Sequence, residues 1–178
     1  MREALFTCHI VCGWPRTIDA LSAFRDSIGA EHAAKLASTV PTSRASSSDT
    51  TGSTNASATT VAQWFERGAR RFELVYGEKT HTVRAVLRRG APSQEQLVLA
   101  SSYGAVMSDD DVLSLEQREL TLLAALRVGD ATAQFASHAA AVQRLFGVTQ
   151  LQLDALQRTA IAALRALIAR QQAKLAAL

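Results

Sequence analysis

Cysteine, proline, glycine and aromatic side chains are all scarce in this 178-residue chain, and each shortage excludes something. Two cysteines, Cys8 and Cys12, cannot build a disulfide framework and match no zinc-site spacing, so no structural metal is expected. Nine glycines, three prolines and 6% aromatic residues argue against the turn-rich, aromatic-rich pattern of a sandwich or barrel. No uncharged stretch reaches the roughly 18 residues that a membrane-spanning helix requires. The net charge is only +3, carried by 16 Arg and 3 Lys without a dense basic run, so a nucleic-acid partner has no support. Residues 4–12 (ALFTCHIVC) are apolar, but they lead into Gly13-Trp14-Pro15 rather than a small-residue cleavage site. They read as a helix and not a signal peptide, which favours a soluble, cytoplasmic protein.

What the chain has in abundance is alanine, 33 residues of it. Alanine carries the best helix propensity, and the apolar positions repeat near 3.6 residues and nowhere at two. Thr60 with Gln63, Ser114 with Gln117 and Thr149 with Gln152 have the spacing of capping boxes. They predict helices over 61–76, 115–128 and about 150–176. Ser93 with Gln96 predicts one over 94–107, and Asp130 as a cap predicts another over 131–146, closed by Gly147. A weaker helix is expected over 79–89. Near the N-terminus, 2–11 reads as a helix, Gly13 as a break, and Pro15 as the first turn of a helix to residue 28. The class is all-α.

Residues 38–60 (STVPTSRASSSDTTGSTNASATT) hold 14 Ser or Thr and one Val as their only large apolar side chain. Such a stretch buries too little surface to offset its ordering entropy, so it is expected to be a disordered insertion. It divides a short piece, 1–37, from the main body, 61–178.

Within the body, polar residues stand where apolar ones are due. Glu119 has Leu115, Leu122, Leu123 and Leu126 as its neighbours on one helix face. His138 has Phe135, Ala141, Val142 and Leu145 around it, with Gln134 one turn earlier. The two helices are joined through Gly129-Asp130, which implies an antiparallel hairpin. Glu119 and His138 then lie at similar heights, about ten and nine residues from the turn at roughly 1.5 Å each. The expected arrangement is a buried Glu119–His138 pair with Gln134 beside it. A carboxylate fixes the imidazole tautomer, the imidazole serves as base or acid, and an amide can donate to a developing oxyanion. The alternative is a satisfied structural pair that sets helix register. The remaining candidates read as structural or solvated: Cys8 and Cys12 as small buried residues, His32 and His81 in water, and His9 at most lining a pocket. Asp109-Asp110-Asp111 reads as a wet loop without calcium-loop spacing. Arg67, Arg70 and Arg71 read as a wet helix face, and Tyr76-Gly77 and Tyr103-Gly104 as helix ends.

The stretch 114–156, with Leu-x-x-x-x-Arg-Glu-Leu opening one helix, a His 19 residues after the Glu, and Gly-Val-Thr before the next helix, resembles the carboxymuconolactone decarboxylase and AhpD-like alkylhydroperoxidase superfamily. The N-terminal ALFTCHIVCGWPRTIDALSAFR is similar to the segment that ends such a module, an apolar helix followed by Gly-x-Pro-x-x-x-x-Ala. The resemblance covers about 65 to 70 residues and implies a partial tandem. Residues 1–37 would be the last helices of a truncated first module, and 61–178 the core module. In the peroxidase branch it implies a Cys-x-x-Cys pair served by a Glu and a His. Those positions are Glu119, His138, Ala131 and Gln134 here, so both thiols are absent and thiol peroxidase activity is disfavoured.

The decarboxylase branch needs no thiol, and the resemblance implies acid–base chemistry on a lactone or carboxylate, with His138, Glu119 and Gln134 as catalytic residues and no cofactor. Two functions stay open: such an enzyme with an unidentified substrate, or a non-catalytic scaffold or interaction subunit that keeps the fold. The resemblance also implies a homo-oligomer, a trimer or hexamer. The leucine stripe of 150–176 (Leu153, Leu156, Leu164, Leu167, Ile168, Leu175) points the same way, because a small monomer would leave much of it exposed. Light scattering coupled to gel filtration is expected to give a multiple of 19.1 kDa, and a clean 19.1 kDa species at micromolar concentration would refute self-association.

Overall fold

A computed structural model describes residues 1–37 and 60–176 and contains helices but no strand among them. The protein is all-α, as its periodicity requires. Helices α1 (Arg2–Thr7), α2 (His9–Ser27) and α3 (Ala30–Ala37) form the N-terminal piece. The body comprises α4 (Val61–Tyr76), a 3₁₀ turn, α5 (Thr80–Gly90), α6 (Pro92–Leu97) with a π-helical continuation over Val98–Val106, α7 (Leu115–Val128), α8 (Thr132–Phe146) and α9 (Gln150–Ala176). No described helix is long and apolar enough to cross a membrane. The Ser/Thr-rich segment lies outside the described residues except for Thr60, which caps α4.

Side-chain capping decides several of these boundaries. Thr60 and Ser114 each accept the backbone N–H three residues on, and Gln63 and Gln117 reach back to the cap backbone. Thr149 and Gln152 make the same exchange at the start of α9. Two expected caps are not made. Helix α6 begins at Pro92 instead of after Ser93, with extended Ala91 before it and no side-chain cap. Proline needs no N–H in a first turn, so it displaces the Ser93 signal. Asp130 takes a left-handed turn conformation (φ 54°), which leaves Ala131, without a side-chain bond, at the head of α8. Gly13 breaks α2 as expected (φ 73°, ψ 168°), and the chain also steps between helices at Cys8.

Helix α7 is the axis of the packing. Its Leu122 and Leu126 join Phe72, Val75, Leu99, Tyr103, Met107 and Ala141 in one core cluster. Its Leu123 joins Val142 and Leu153 in a second. Helix α9 is therefore held through its first half: Leu153 is buried, whereas Leu167 and Ile168 are exposed. The apolar stripe predicted along α9 runs past the neighbours that cover it.

The tightest crossing is between α4 and the π-helical segment. A methyl group at Gly68 would overlap the Leu99 carbonyl, and one at Gly104 would overlap the Trp64 carbonyl. Arg67 then forks onto the Gly104 carbonyl at 3.1 and 2.9 Å, and Arg71 reaches Asp110 at 2.5 Å. Arg67 and Arg71 are thus half-buried ties and not the wet face expected of them; only Arg70 is exposed. Asp109, expected in a solvated loop, is fully buried, while Asp110 and Asp111 face water.

The N-terminal piece packs against the same axis. Arg118 of α7 has no exposed surface and donates to the Thr7 hydroxyl at 3.1 Å and to the Asp109 carbonyl. One guanidinium thereby ties α1 and the loop before α7 to the body, an arrangement its planar fork suits.

Replacing Gly68 by alanine is expected to cost at least about 3 kcal/mol, because the added carbon meets backbone and not a movable side chain. Urea denaturation measures it, and a cost within about 0.5 kcal/mol would show that the crossing is slack.

Candidate functional site

The α7–α8 hairpin brings an acid and an imidazole together in the space between the two core clusters. His138 Nδ1 lies 2.7 Å from Glu119 Oε2, with the His138 side chain 4% exposed and that of Glu119 fully enclosed. The pairing and the burial expected from the helix faces are both present. Nδ1–H donates to the carboxylate, which leaves Nε2 as the free position of the ring.

Nε2 faces two phenols. The Tyr76 hydroxyl is 3.4 Å away and the Tyr103 hydroxyl 3.5 Å, and Tyr103 donates to Tyr76 at 3.1 Å. One proton assignment satisfies this chain with a neutral ring: Tyr103 donates to Tyr76, Tyr76 to Nε2, and Nδ1–H to Glu119. The rings pack as well as bond, Phe72 lying 4.3 Å from Tyr76 and 4.8 Å from Tyr103 between centroids. Burial raises both phenol pKa values. For Tyr76, the bond from Tyr103 offsets part of this and the Glu119 charge adds to it. For Tyr103, burial is reinforced by Tyr76 and by Glu119, and its pKa lies well above the ordinary phenol value. Glu119 Oε1 is also buried and makes no hydrogen bond among the described residues. A carboxylate oxygen kept dry and unbonded is costly, and a pair serving register alone gains nothing from it.

Gln134 does not join this cluster. It is exposed in the first turn of α8 while His138, one turn later, points inward. The place foreseen for its amide belongs to Tyr76, which ends α4 as expected, and to Tyr103, which lies inside the π-helical segment and not at a helix end. The missed signal was apolar placement: Tyr76 follows Phe72 by one turn on the buried face of α4, and a phenol buried there needs a partner.

The ring itself borders none of the described cavities; Tyr76 connects it to one. Tyr76 lines a pocket of about 180 Å³ together with Val75, Glu78, Lys79, Ser137, Ala141 and Arg144. Arg144 bonds the Leu74 and Val75 carbonyls at 2.8 Å each, closing the C-terminal end of α4 with a positive charge. With Lys79 and Glu78 the rim carries a net single positive charge.

The other candidates lie elsewhere. Cys8 and Cys12 are free and partly buried; the Cys8 thiol is pushed up to about 11, first by burial and then by Cys12. Such a thiol stays protonated at neutral pH and is a poor nucleophile. His9 bonds the Phe6 carbonyl at 2.8 Å and stacks on the Phe6 ring, and His32 and His81 are exposed. No group of three or more His, Cys, Asp or Glu among the described residues is placed to hold a metal. Comparison of the chain with family models, curated proteins and solved structures returns no match.

Tyr76 and Tyr103 are the chain's only tyrosines, so tyrosinate absorbance reports this cluster alone. It is expected to rise above pH 10.0, the ordinary phenol value, for Tyr76 and well above it for Tyr103. Folding favours the neutral phenols, so their stabilising contribution is complete below the unfolded pKa and is lost as pH climbs through the folded values. Alkaline unfolding should accompany the absorbance change; titration near pH 10.0 in the folded protein would contradict the buried arrangement.

Proposed function

We propose that the chain is a carboxymuconolactone decarboxylase-like enzyme whose acid–base site works without a thiol on a small carboxylate or lactone. The single observation that carries this reading is the continuous hydrogen-bonded line from Glu119 through His138 to Tyr76, which ends at a positively rimmed pocket. In the decarboxylation of a β-keto acid anion, the carbon–carbon bond breaks and CO₂ departs. The electron pair passes into the neighbouring carbonyl as an enolate. Tyr76 then protonates the carbon, and its phenolate regains a proton from solvent in the pocket, while the neutral His138 ring, fixed by Glu119, holds the Tyr76 hydroxyl in place through Nε2. Arg144 and Lys79, on the rim of that pocket, hold the substrate carboxylate. In this reading the protein works as a soluble cytoplasmic homo-oligomer.

A second reading, a non-catalytic scaffold subunit, draws on the ring's enclosure: His138 is 3% exposed and meets no described cavity directly. The two separate at Tyr76. Tyr76→Phe removes one hydroxyl from a half-buried site and should leave the fold intact. As an enzyme, the variant loses turnover of β-keto acids or carboxylated lactones by about 10²-fold or more. His138→Ala loses it too, but that variant also strands the buried Glu119 and destabilises the protein by about 3–5 kcal/mol. Release of CO₂ measures the reaction; turnover unchanged in folded Tyr76→Phe eliminates the catalytic role.

A further inference from the structure

Two turns along α7 from Glu119, a second concavity opens between α7 and α9, sharing no residue with the pocket at Tyr76. It is a shallow groove, open to solvent, of about 750 Å³, lined by Arg127, Asp154, Arg158, Ile161, Ala162 and Arg165 among others. Its volume is that of a typical small-molecule site.

The charges along it are unbalanced. Three guanidinium groups face one carboxylate, and none of the three has an acidic partner among the described residues. Asp154 stands four residues before Arg158, a spacing that favours an ion pair. It accepts the Gln150 amide at 2.8 Å instead. The Nε of Arg127 is fully buried and makes no hydrogen bond among the described residues. Arginine cannot shed its proton, so three such charges around one concavity repel one another until an anion enters.

The spacing restricts what that anion can be. Arg158, Ile161, Ala162 and Arg165 follow one another at the 3–4–7 spacing of a single helix face. The two terminal charges are therefore separated by about 10 Å of helix rise with an apolar strip between them. We propose that this groove binds a small organic anion with an acidic group at each end of an apolar spacer, Arg158 and Arg165 each holding one end and Arg127 closing the inner wall. The proposal is independent of the chemistry at Tyr76.

Isothermal titration calorimetry at low ionic strength tests it with three probes: octanedioate, octanoate and inorganic phosphate. The dicarboxylate is expected to bind at least about tenfold more tightly than the monocarboxylate or phosphate, because it engages both guanidinium ends. In Arg165→Gln that advantage should vanish while octanoate binding persists; Arg158 and Arg165 are exposed, so circular dichroism should show an unchanged fold. Equal affinity for the three probes, no binding of any, or an unchanged preference in the variant would overturn the proposal. A changed oligomeric mass in Arg165→Gln, without dicarboxylate binding to the wild type, would also overturn it and make this face a contact between copies.

Discussion

A carboxylate with no exposed surface has to be compensated where it stands, and for Glu119 the compensation is the His138 ring 2.7 Å away. The rest of the interior is arranged around this bond. It requires α7 and α8 to be antiparallel and in register, which the short turn at Gly129-Asp130 permits. It requires Leu122 and Leu126 on one flank and Leu123 on the other to keep water out. It also orients the imidazole, because an Nδ1–H held by a carboxylate leaves Nε2 to whatever faces it. Here that is a pair of phenols, and their reluctance to ionise has the same origin, a dry site beside a carboxylate.

Enclosure and chemistry are reconciled through Tyr76. The imidazole is almost fully enclosed, and the phenol that bonds its Nε2 also borders a pocket, so the two are joined through one hydroxyl. The nearest thiols are of no use to such a site: Cys8 sits in the N-terminal piece with its pKa pushed up to about 11. Acid–base chemistry is what these residue types can perform.

Two further devices hold the frame. The backbones of α4 and the π-helical segment approach so closely that only glycine fits at positions 68 and 104. This approach carries Tyr76 and Tyr103 to within hydrogen-bonding distance of each other. Arg118, one residue before Glu119, points from the same helix toward α1 and ties the N-terminal piece down. Adjacent polar residues on α7 thus serve different neighbours, one the hairpin and one the chain's beginning.

Periodicity, capping boxes and a leucine face were enough to read an all-α chain, most helix boundaries and the Glu119–His138 pair. All three depend on neighbours within about two helical turns or across one short hairpin, and local spacing encodes such neighbours directly. The failures have the opposite character. The offset from His138 puts Gln134 on the same face, but a first-turn side chain faces whatever the hairpin leaves uncovered, and here that is water. Tyr103 lies 35 residues from His138, Gly104 37 residues from Arg67, and Thr7 111 residues from Arg118. Contacts of that range depend on how helices cross, and no spacing within a single helix records a crossing angle. Helical class and the buried acid–imidazole couple were therefore written into the linear order of residues, whereas the phenols that complete the cluster and the arginine that anchors the N-terminal helices were settled by packing in three dimensions.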